Sequence, residues 1–346
     1  MKPLAVIAYY SGNATDVYKY EIEKLTHIIY SFLVLKGNKL QVSPQAAIIL
    51  KNLVGLKKRN PALNVSIAFG GWGGCKTCSE LFTQAVNREA FAQSVKTILL
   101  QYQLDGIDLD WEYPAIQGPV GHPFSPRDKQ TFTELVLALR TAIGETKEIS
   151  VAAGAFTDFL RKSLEWEKLA PLIDRFHLMT YDLVNRLSLV SGHHSNLYST
   201  SRQIESADNA IRFLDSLNIP RNKIVIGAAF YSRLYEQVNS VNNGLYQPCK
   251  FKGFLTYRSY ASTFSKANGF TWYWDNEAKA PWCYNKQKKQ FATFDNRRSV
   301  ILKTQYAINE RLQGLMFWEL RQDRPREGLL DAIYEAKMQV AVKPND

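Results

Sequence analysis

Apolar residues along this chain fall into two alternating patterns. Short, nearly continuous apolar runs rich in Val, Ile, Phe and Tyr occupy residues 4–10, 26–35, 65–72, 106–112, 149–156, 175–181, 223–231 and 313–320. Bounded by polar and Gly- or Pro-containing stretches, these read as buried strands. Between them the apolar positions recur every three or four residues, the spacing of a helix that buries one face. Strands separated by such helices build a parallel sheet with helices outside it. Eight strands are the number that closes the α/β architecture into a (β/α)8 TIM barrel.

Two helices are well marked. One is predicted to start at Ser125-Pro126-Arg127-Asp128, where serine can cap, proline suits the first turn and aspartate favours the helix N-terminus. Phe132, Leu135, Val136, Leu139, Ala142 and Ile143 then line one face. The other follows Asn296, with Val300, Ile301, Ala307, Ile308 and Leu312 as its stripe.

The alternation breaks once, between Tyr231 and Asp295, over a stretch rich in Tyr, Trp, Asn and Gly. That length exceeds a plain loop. It predicts a small inserted α+β subdomain after the seventh strand at residues 233–295, with the barrel made from residues 1–232 and 296–346. The insertion is expected to form one wall of a deep cleft. Its Trp272, Trp274, Trp282 and Tyr284 are candidates for ligand contact or for its own core, and a subdomain this small needs large side chains inside.

With 346 residues, 46% of them hydrophobic and 22% charged, the chain has the material for one large barrel core and not the composition of a disordered protein. The net charge of +11 is spread over small clusters, Lys57-Lys58-Arg59, Lys286-Gln287-Lys288-Lys289 and Arg297-Arg298. No basic helix accompanies them, so they read as solvated surface and no nucleic-acid partner is expected. No run reaches membrane-spanning length. The apolar run at 4–10 is too short for a signal-peptide core and lacks a small-residue cleavage site. The expected location is cytoplasmic, or secreted, periplasmic or at the cell surface if a signal peptide was trimmed before Met1. A monomer is expected.

Four cysteines allow two disulfides in an oxidising compartment. In an exported protein Cys249 and Cys283 are expected to staple the insertion. A Cys75–Cys78 bridge is the less expected of the two, because closely spaced cysteines must meet strict geometry. The Cys75-Lys76-Thr77-Cys78 spacing also suits zinc or redox chemistry, but a second close pair is absent and the preceding apolar strand is not a thioredoxin-like context.

The chemistry is concentrated in Asp105-Gly106-Ile107-Asp108-Leu109-Asp110-Trp111-Glu112-Tyr113-Pro114. In an extended strand Asp108, Asp110 and Glu112 share one face, and Ile107, Leu109 and Trp111 the other. Carboxyls this close cannot all ionise at neutral pH, and a strand bearing that cost usually serves catalysis. The plainer alternatives are an acidic rim or a cation site. Asp-rich calcium loops, however, are Gly-punctuated turns and not apolar-alternating strands. Barrel enzymes react at the C-terminal ends of their strands. Those ends carry Tyr9-Tyr10, Tyr30-Ser31-Phe32, Gly70-Gly71-Trp72, Glu112-Tyr113, Met179-Thr180-Tyr181-Asp182, Tyr231-Ser232-Arg233 and Trp318-Glu319. Aromatic faces of this kind stack on the C–H faces of sugar rings, although each is also a candidate for barrel core.

The acidic run matches the Asp-Gly-x-Asp-x-Asp-x-Glu signature of the family 18 glycoside hydrolases, and its Trp111-Glu112-Tyr113-Pro114 ending resembles the chitinase branch. The likeness covers nearly the whole chain. Val6-Ile7-Ala8-Tyr9-Tyr10, Thr26-His27-Ile28-Ile29-Tyr30-Ser31-Phe32, Met179-Thr180-Tyr181-Asp182, Phe230-Tyr231-Ser232-Arg233 and Met316-Phe317-Trp318 are similar to the family's strands one, two, six, seven and eight. Ser191-Gly192-His193-His194-Ser195-Asn196-Leu197-Tyr198 resembles the loop after strand six, which implies that these histidines are structural and not metal ligands.

The resemblance implies a chitinase acting on chitin or chitooligosaccharides without metal or organic cofactor. It implies that Glu112 is the acid and then the base, and that the substrate's own acetamide is the nucleophile, giving an oxazolinium with retention of configuration. Asp110 would orient the acetamide, Asp108 would share a proton with Asp110, and Tyr181 would hydrogen-bond the acetamide carbonyl. Trp318 would floor the pocket, and Tyr9, Phe32, Trp72, Tyr113, Met179, Asp182 and Arg233 would complete the substrate-binding site. An endo-N-acetylglucosaminidase acting on N-glycans and a chitin-binding lectin remain as alternatives. The Trp-Glu-Tyr-Pro ending and the insertion argue against the first, and the presence of Glu112 against the second.

Three departures from the family pattern stand out. Ala68 replaces a serine expected to hydrogen-bond Asp108, so Asp108 is expected to be harder to ionise unless Tyr9 or Ser31 compensates. The stretch Leu183-Val184-Asn185-Arg186-Leu187 lacks the usual tryptophan, and Ser232 replaces a common glycine.

Overall fold

A computed structural model describes residues 4–341. Eight parallel strands form its centre: β1 (Ala5–Tyr10), β2 (His27–Lys36), β4 (Asn64–Gly70), β5 (Gly106–Asp110), β6 (Glu148–Gly154), β7 (Arg175–Met179), β8 (Ile224–Ala229) and β14 (Gly314–Trp318). The short β3 (Lys39–Gln41) pairs back onto the end of β2 as a hairpin. Because β1 pairs with both β2 and β14, the sheet closes on itself as a (β/α)8 barrel. Closure leaves no free edge among the eight strands.

Strand alternation divides the core in two. Outward-facing residues such as Val65, Ile67, Ile107, Leu109, Val151, Phe176, Leu178 and Ile226 pack under the helices in one continuous cluster. Inward-facing Ile7, Tyr9, Ile29, Ala68, Val225, Ala229 and Met316 form a smaller cluster inside the barrel. That inner cluster reaches the mouth through Phe32, Met179, Tyr181, Tyr231 and Trp318.

The helix predicted from Ser125 spans Asp128–Ile143, so it begins three residues later than expected. Asp128 is fully buried and accepts hydrogen bonds from the Ser79 hydroxyl at 2.7 Å and the Ser125 amide at 2.8 Å. Its carboxylate thus organises the turn before the helix, where a serine cap was expected. The helix after Asn296 spans Arg297–Asn309 and opens with a reciprocal capping box between Asn296 and Ser299.

A second, antiparallel sheet lies between β8 and this helix: β9 (Tyr231–Glu236), β10 (Lys250–Thr256), β11 (Thr271–Asp275), β12 (Ala280–Asn285) and β13 (Gln290–Thr293), in the order β10-β9-β13-β12-β11. One face packs Tyr235, Trp282, Tyr284 and Phe291 against Val184, Val238 and Leu245. The indole N–H of Trp282 and the hydroxyl of Tyr284 bond to the carbonyls of Asn243 and Val238, which identifies both as interior residues. Trp274 lies under the Arg298 guanidinium at 3.8 Å, and Trp272 is 42% exposed while its N–H binds the Phe264 carbonyl.

The cysteine expectation is reversed. Cys75 and Cys78 form a disulfide with a Cα–Cα distance of 5.2 Å, while Cys249 and Cys283 are free thiols. The strand period explains the second point. Cys283 alternates with Trp282 and Tyr284 and faces the opposite side of the sheet from the cluster that holds Cys249. The first pair is joined because Cys78 N bonds to Cys75 O in a tight turn that brings the two α-carbons within bridging range.

A buried ion pair ties the two sheets together. Lys303, fully buried, donates to Asp295 Oδ2 at 2.7 Å and to Ser195 Oγ at 2.6 Å. Asp295 also accepts from Ser195 Oγ, Ser299 Oγ and the amide of Ala229 at the end of β8. This satisfies most of the carboxylate's acceptor sites, as a charge without solvent requires.

Candidate active site

Asp108 and Asp110 lie in β5 and point into the barrel, both buried. The strand ends at Asp110, so Glu112 does not continue an extended strand as expected. Its position comes from the first turn of the loop, where the Glu112–Tyr113 peptide is cis. The last rung of the ladder is the bond from Gly71 N to Asp110 O at 2.7 Å. That close approach requires glycine. A Cβ on Gly70, at φ +112°, would fall 1.9 Å from the Asp110 carbonyl oxygen, and one on Gly71 would fall 2.5 Å from the Phe32 ring.

Asp108 is enclosed by donors. The Tyr9 hydroxyl donates to Oδ2 at 2.8 Å and the Ser150 hydroxyl to Oδ1 at 2.6 Å. Tyr9 therefore fills the compensating role expected of it, whereas Ser31 does not, since its hydroxyl turns to the Ile29 carbonyl. His177 Nδ1 lies 3.0 Å from the Tyr9 oxygen and 3.3 Å from Asp108 Oδ1. With the Tyr9 proton committed to Asp108, that contact is a hydrogen bond when Nδ1 carries the proton and donates to the Tyr9 oxygen.

Asp110 differs sharply. Its Oδ1 has no hydrogen-bond partner. Burial, reinforced by the charges of Glu112 and Asp108, pushes its carboxyl well above the usual range. Glu112 is raised from 4.5 to about 7, first by desolvation and then by Asp182, with Tyr113 and Arg233 pulling the other way. Asp182, at a left-handed φ of +57°, is gripped by the guanidinium fork of Arg233 from β9. Against the cost of burial, His194 and Arg233 hold Asp182 down to about 2.

The aromatic residues surround these acids. Trp318 stacks on Phe32 with centroids 5.6 Å apart and leans on Tyr9 at 5.8 Å. The Tyr181 hydroxyl reaches Met316 Sδ at 3.8 Å, and its ring meets Tyr231 edge-on. Desolvation raises the Tyr181 phenol well above its ordinary value, so it stays a neutral donor. Met179 ends β7 and packs on the same cluster. Tyr113 is half-buried against Phe156 and Phe159, and Trp72, 48% exposed, meets Tyr113 edge-on at 6.2 Å.

Ten of the twelve residues singled out in the sequence thus belong to the inner cluster, the acid series or the Asp182–Arg233 pair. Trp72 and Tyr113 form the outer edge beside Glu112. Ser150 and His177 were missed. Each is an inward polar residue set between two apolar neighbours, Ile149 and Val151 for Ser150 and Phe176 and Leu178 for His177, and that pattern was the signal available. His193, paired with Asp275 at 3.0 Å, and His194, 3.6 Å from Asp182, are fully buried side chains of the loop after β7. Among the described residues no cluster of three or more metal-ligating side chains occurs.

The barrel mouth thus joins a carboxyl series, in which Asp110 and Glu112 are held towards their protonated forms, to a ring of aromatics. The family model "Glycosyl hydrolases family 18" matches residues 5–323, and the chain belongs to that family. It is 32% identical over 300 residues to Chitinase A1 of Niallia circulans, covering 80% of this chain and 43% of that protein. It is 29% identical over 332 residues to the Endochitinase of Manduca sexta, covering 87% and 59%. The chain thus spans about half the length of these curated relatives. Among solved structures, the family 18 N-acetylglucosaminidase from Paenibacillus barengoltzii aligns over 96% of this chain and 99% of its own, at 34% identity and a TM-score of 0.88. Chitinase ChiA74 from Bacillus thuringiensis aligns over 100% of this chain and 71% of its own, at 25% identity and a TM-score of 0.90. Among the described residues no helix is long and apolar enough to cross a membrane.

Proposed function

We propose that the chain hydrolyses β-1,4-linked N-acetylglucosamine chains, as chitin or chitooligosaccharides, with Glu112 as acid and base and the substrate acetamide as nucleophile. The observation that carries this reading is the uneven state of the mouth carboxyls. Glu112, raised to about 7, holds its proton from acid up to near-neutral pH and can give it to a glycosidic oxygen. No neighbouring carboxylate is free to attack the sugar. Asp108 is sealed beneath Tyr9 and Ser150, Asp182 is locked to Arg233, and Asp110 is held towards its neutral form. The nucleophile then comes from the substrate, whose acetamide lies within the reach of Asp110 and the neutral Tyr181 hydroxyl. As positive charge develops on the cyclising acetamide, Asp110 passes its proton to the neighbouring Asp108 carboxylate, and the resulting Asp110 carboxylate stabilises that charge. Glu112, now ionised, takes a proton from the water that opens the ring.

Residues 1–232 and 296–346 would supply the catalytic barrel, and residues 233–295 a wall beside it that delivers Arg233 to Asp182. A second reading is favoured by the Paenibacillus barengoltzii neighbour, described as an N-acetylglucosaminidase: release of single sugars from chain ends by the same chemistry. One experiment tests both. The protein is incubated with chitin oligomers and, separately, with a high-mannose glycopeptide, and the products are identified by mass. Disaccharides or longer fragments from chitin oligomers support the first reading and exclusive release of monosaccharide the second. Cleavage confined to the glycopeptide would overturn both.

A further inference from the structure

The register of the barrel places Asp108 between two residues of equivalent standing. Ala68 of β4 pairs with it on one side and Ser150 of β6 on the other. Ala68 stands where the family resemblance leads to the expectation of a serine. Ser150 carries a hydroxyl that donates to Asp108 Oδ1 at 2.6 Å in a site only 5% exposed. We propose that Ser150 is a positioning residue for the acid series: it supplies from strand β6 the hydrogen bond that strand β4 lacks, and so fixes which carboxyl of the Asp108–Asp110 pair holds the proton. The inference rests on the reading of the mouth given above.

The argument runs through hydrogen-bond capacity. Two carboxyls two residues apart on one buried face share a proton unless their surroundings differ. Here they differ completely. Asp108 accepts from Tyr9 on one oxygen and Ser150 on the other, so both of its oxygens already have donors. Asp110 has an oxygen with no partner, so the proton is less costly there. The groups facing Asp108 are Tyr9 from β1, Ser150 from β6, His177 from β7 and Asp110 on its own strand. Of these, Ser150 has no titration of its own, and its single donor proton points at the carboxylate. Removing it leaves Oδ1 with only the 3.3 Å approach of His177 Nδ1, already engaged with Tyr9.

The test is steady-state hydrolysis of chitotetraose from acid to neutral pH by the wild type, Ser150→Ala, Ser150→Cys, Ala68→Ser and the Ala68→Ser/Ser150→Ala double variant, with thermal melting of each. Ser150→Ala is expected to lower kcat about tenfold, the worth of one hydrogen bond to a charged group, with KM within about twofold. The acid limb of its profile should move to higher pH. Ser150→Cys fills the same space with a weak donor and should lose activity alike, which separates the donor from packing. Ala68→Ser alone should stay within about twofold of wild type, since Asp108 is already supplied, and in the double variant it should recover most of the lost kcat and restore the acid limb. Folded Ser150→Ala and Ser150→Cys proteins with wild-type kcat and superimposable pH profiles would overturn the proposal. So would a folded double variant no better than Ser150→Ala. A wild type that cleaves no N-acetylglucosamine oligomer would instead overturn the functional reading on which the inference rests.

Discussion

Replacing the proposed acid should make the protein more stable, and only above a defined pH. Glu112 has an ordinary value of 4.5 and is held at about 7, chiefly by desolvation. Between those values the folded protein binds a proton that the unfolded chain releases, so stability falls as pH rises through that window. Below 4.5 the residue is protonated in both states and contributes nothing to pH dependence. Above 7 the full cost of ionising it in the fold is present, about 3 kcal/mol. Solvent at its part-exposed edge trims the measurable effect to about 2 kcal/mol. Glu112→Gln keeps the shape and removes the ionisation. Urea unfolding at pH 8 should show the variant more stable by about 2 kcal/mol with an unchanged slope, and at pH 4 the two proteins should coincide within about 0.5 kcal/mol. Equal stability at pH 8, or a gain that persists unchanged at pH 4, would refute the claim that the site holds this carboxyl against its ordinary titration.

Other outcomes follow from the same geometry. Lys303→Met strands the Asp295 charge in a fully buried site and should destabilise by about 3–5 kcal/mol, read from urea unfolding; adding Asp295→Asn should recover part of the loss, and a variant within about 1 kcal/mol of wild type would refute it. Thiol counting on protein from its native host under denaturing conditions should find two free thiols, Cys249 and Cys283, whereas four would show that the Cys75–Cys78 bridge does not form there. Asp110→Asn should leave melting nearly unchanged and lower turnover by about two orders of magnitude, because the oxazolinium loses its counter-charge; the wild type should fail in parallel on a fully deacetylated tetramer.

The parts that could be read from the sequence are those with a period or a dense motif. The eight strands stand out because each is a short, largely apolar run bounded by polar or Gly- and Pro-containing stretches, and the helix after Asn296 because its cap and stripe agree. The acid series is legible because three carboxyls at two-residue spacing have no cheap structural use. Ser150 and His177 were hidden for the opposite reason. A polar residue between apolar neighbours in a strand acquires its meaning only when closure brings strands β1, β5, β6 and β7 around one carboxylate, a juxtaposition that local spacing does not carry. The disulfides show the same limit. Sequence separation favoured a long bridge across the insertion, but the pleat of β12 turns Cys283 away from Cys249. Likewise, the extended reading of the acidic run held through Asp110 and failed at Glu112, because a strand's reach ends where its neighbour's ladder ends, at the Gly70-Gly71 turn.

The central claim is that Glu112 delivers the proton while the sugar's own acetamide attacks. It is tested most directly by turnover of Glu112→Gln on chitotetraose, measured beside its affinity for the same oligomer. The account predicts a loss of at least about two orders of magnitude in turnover with binding nearly intact, since the amide keeps the shape of the pocket and lacks the transferable proton. Turnover like that of the wild type would contradict it.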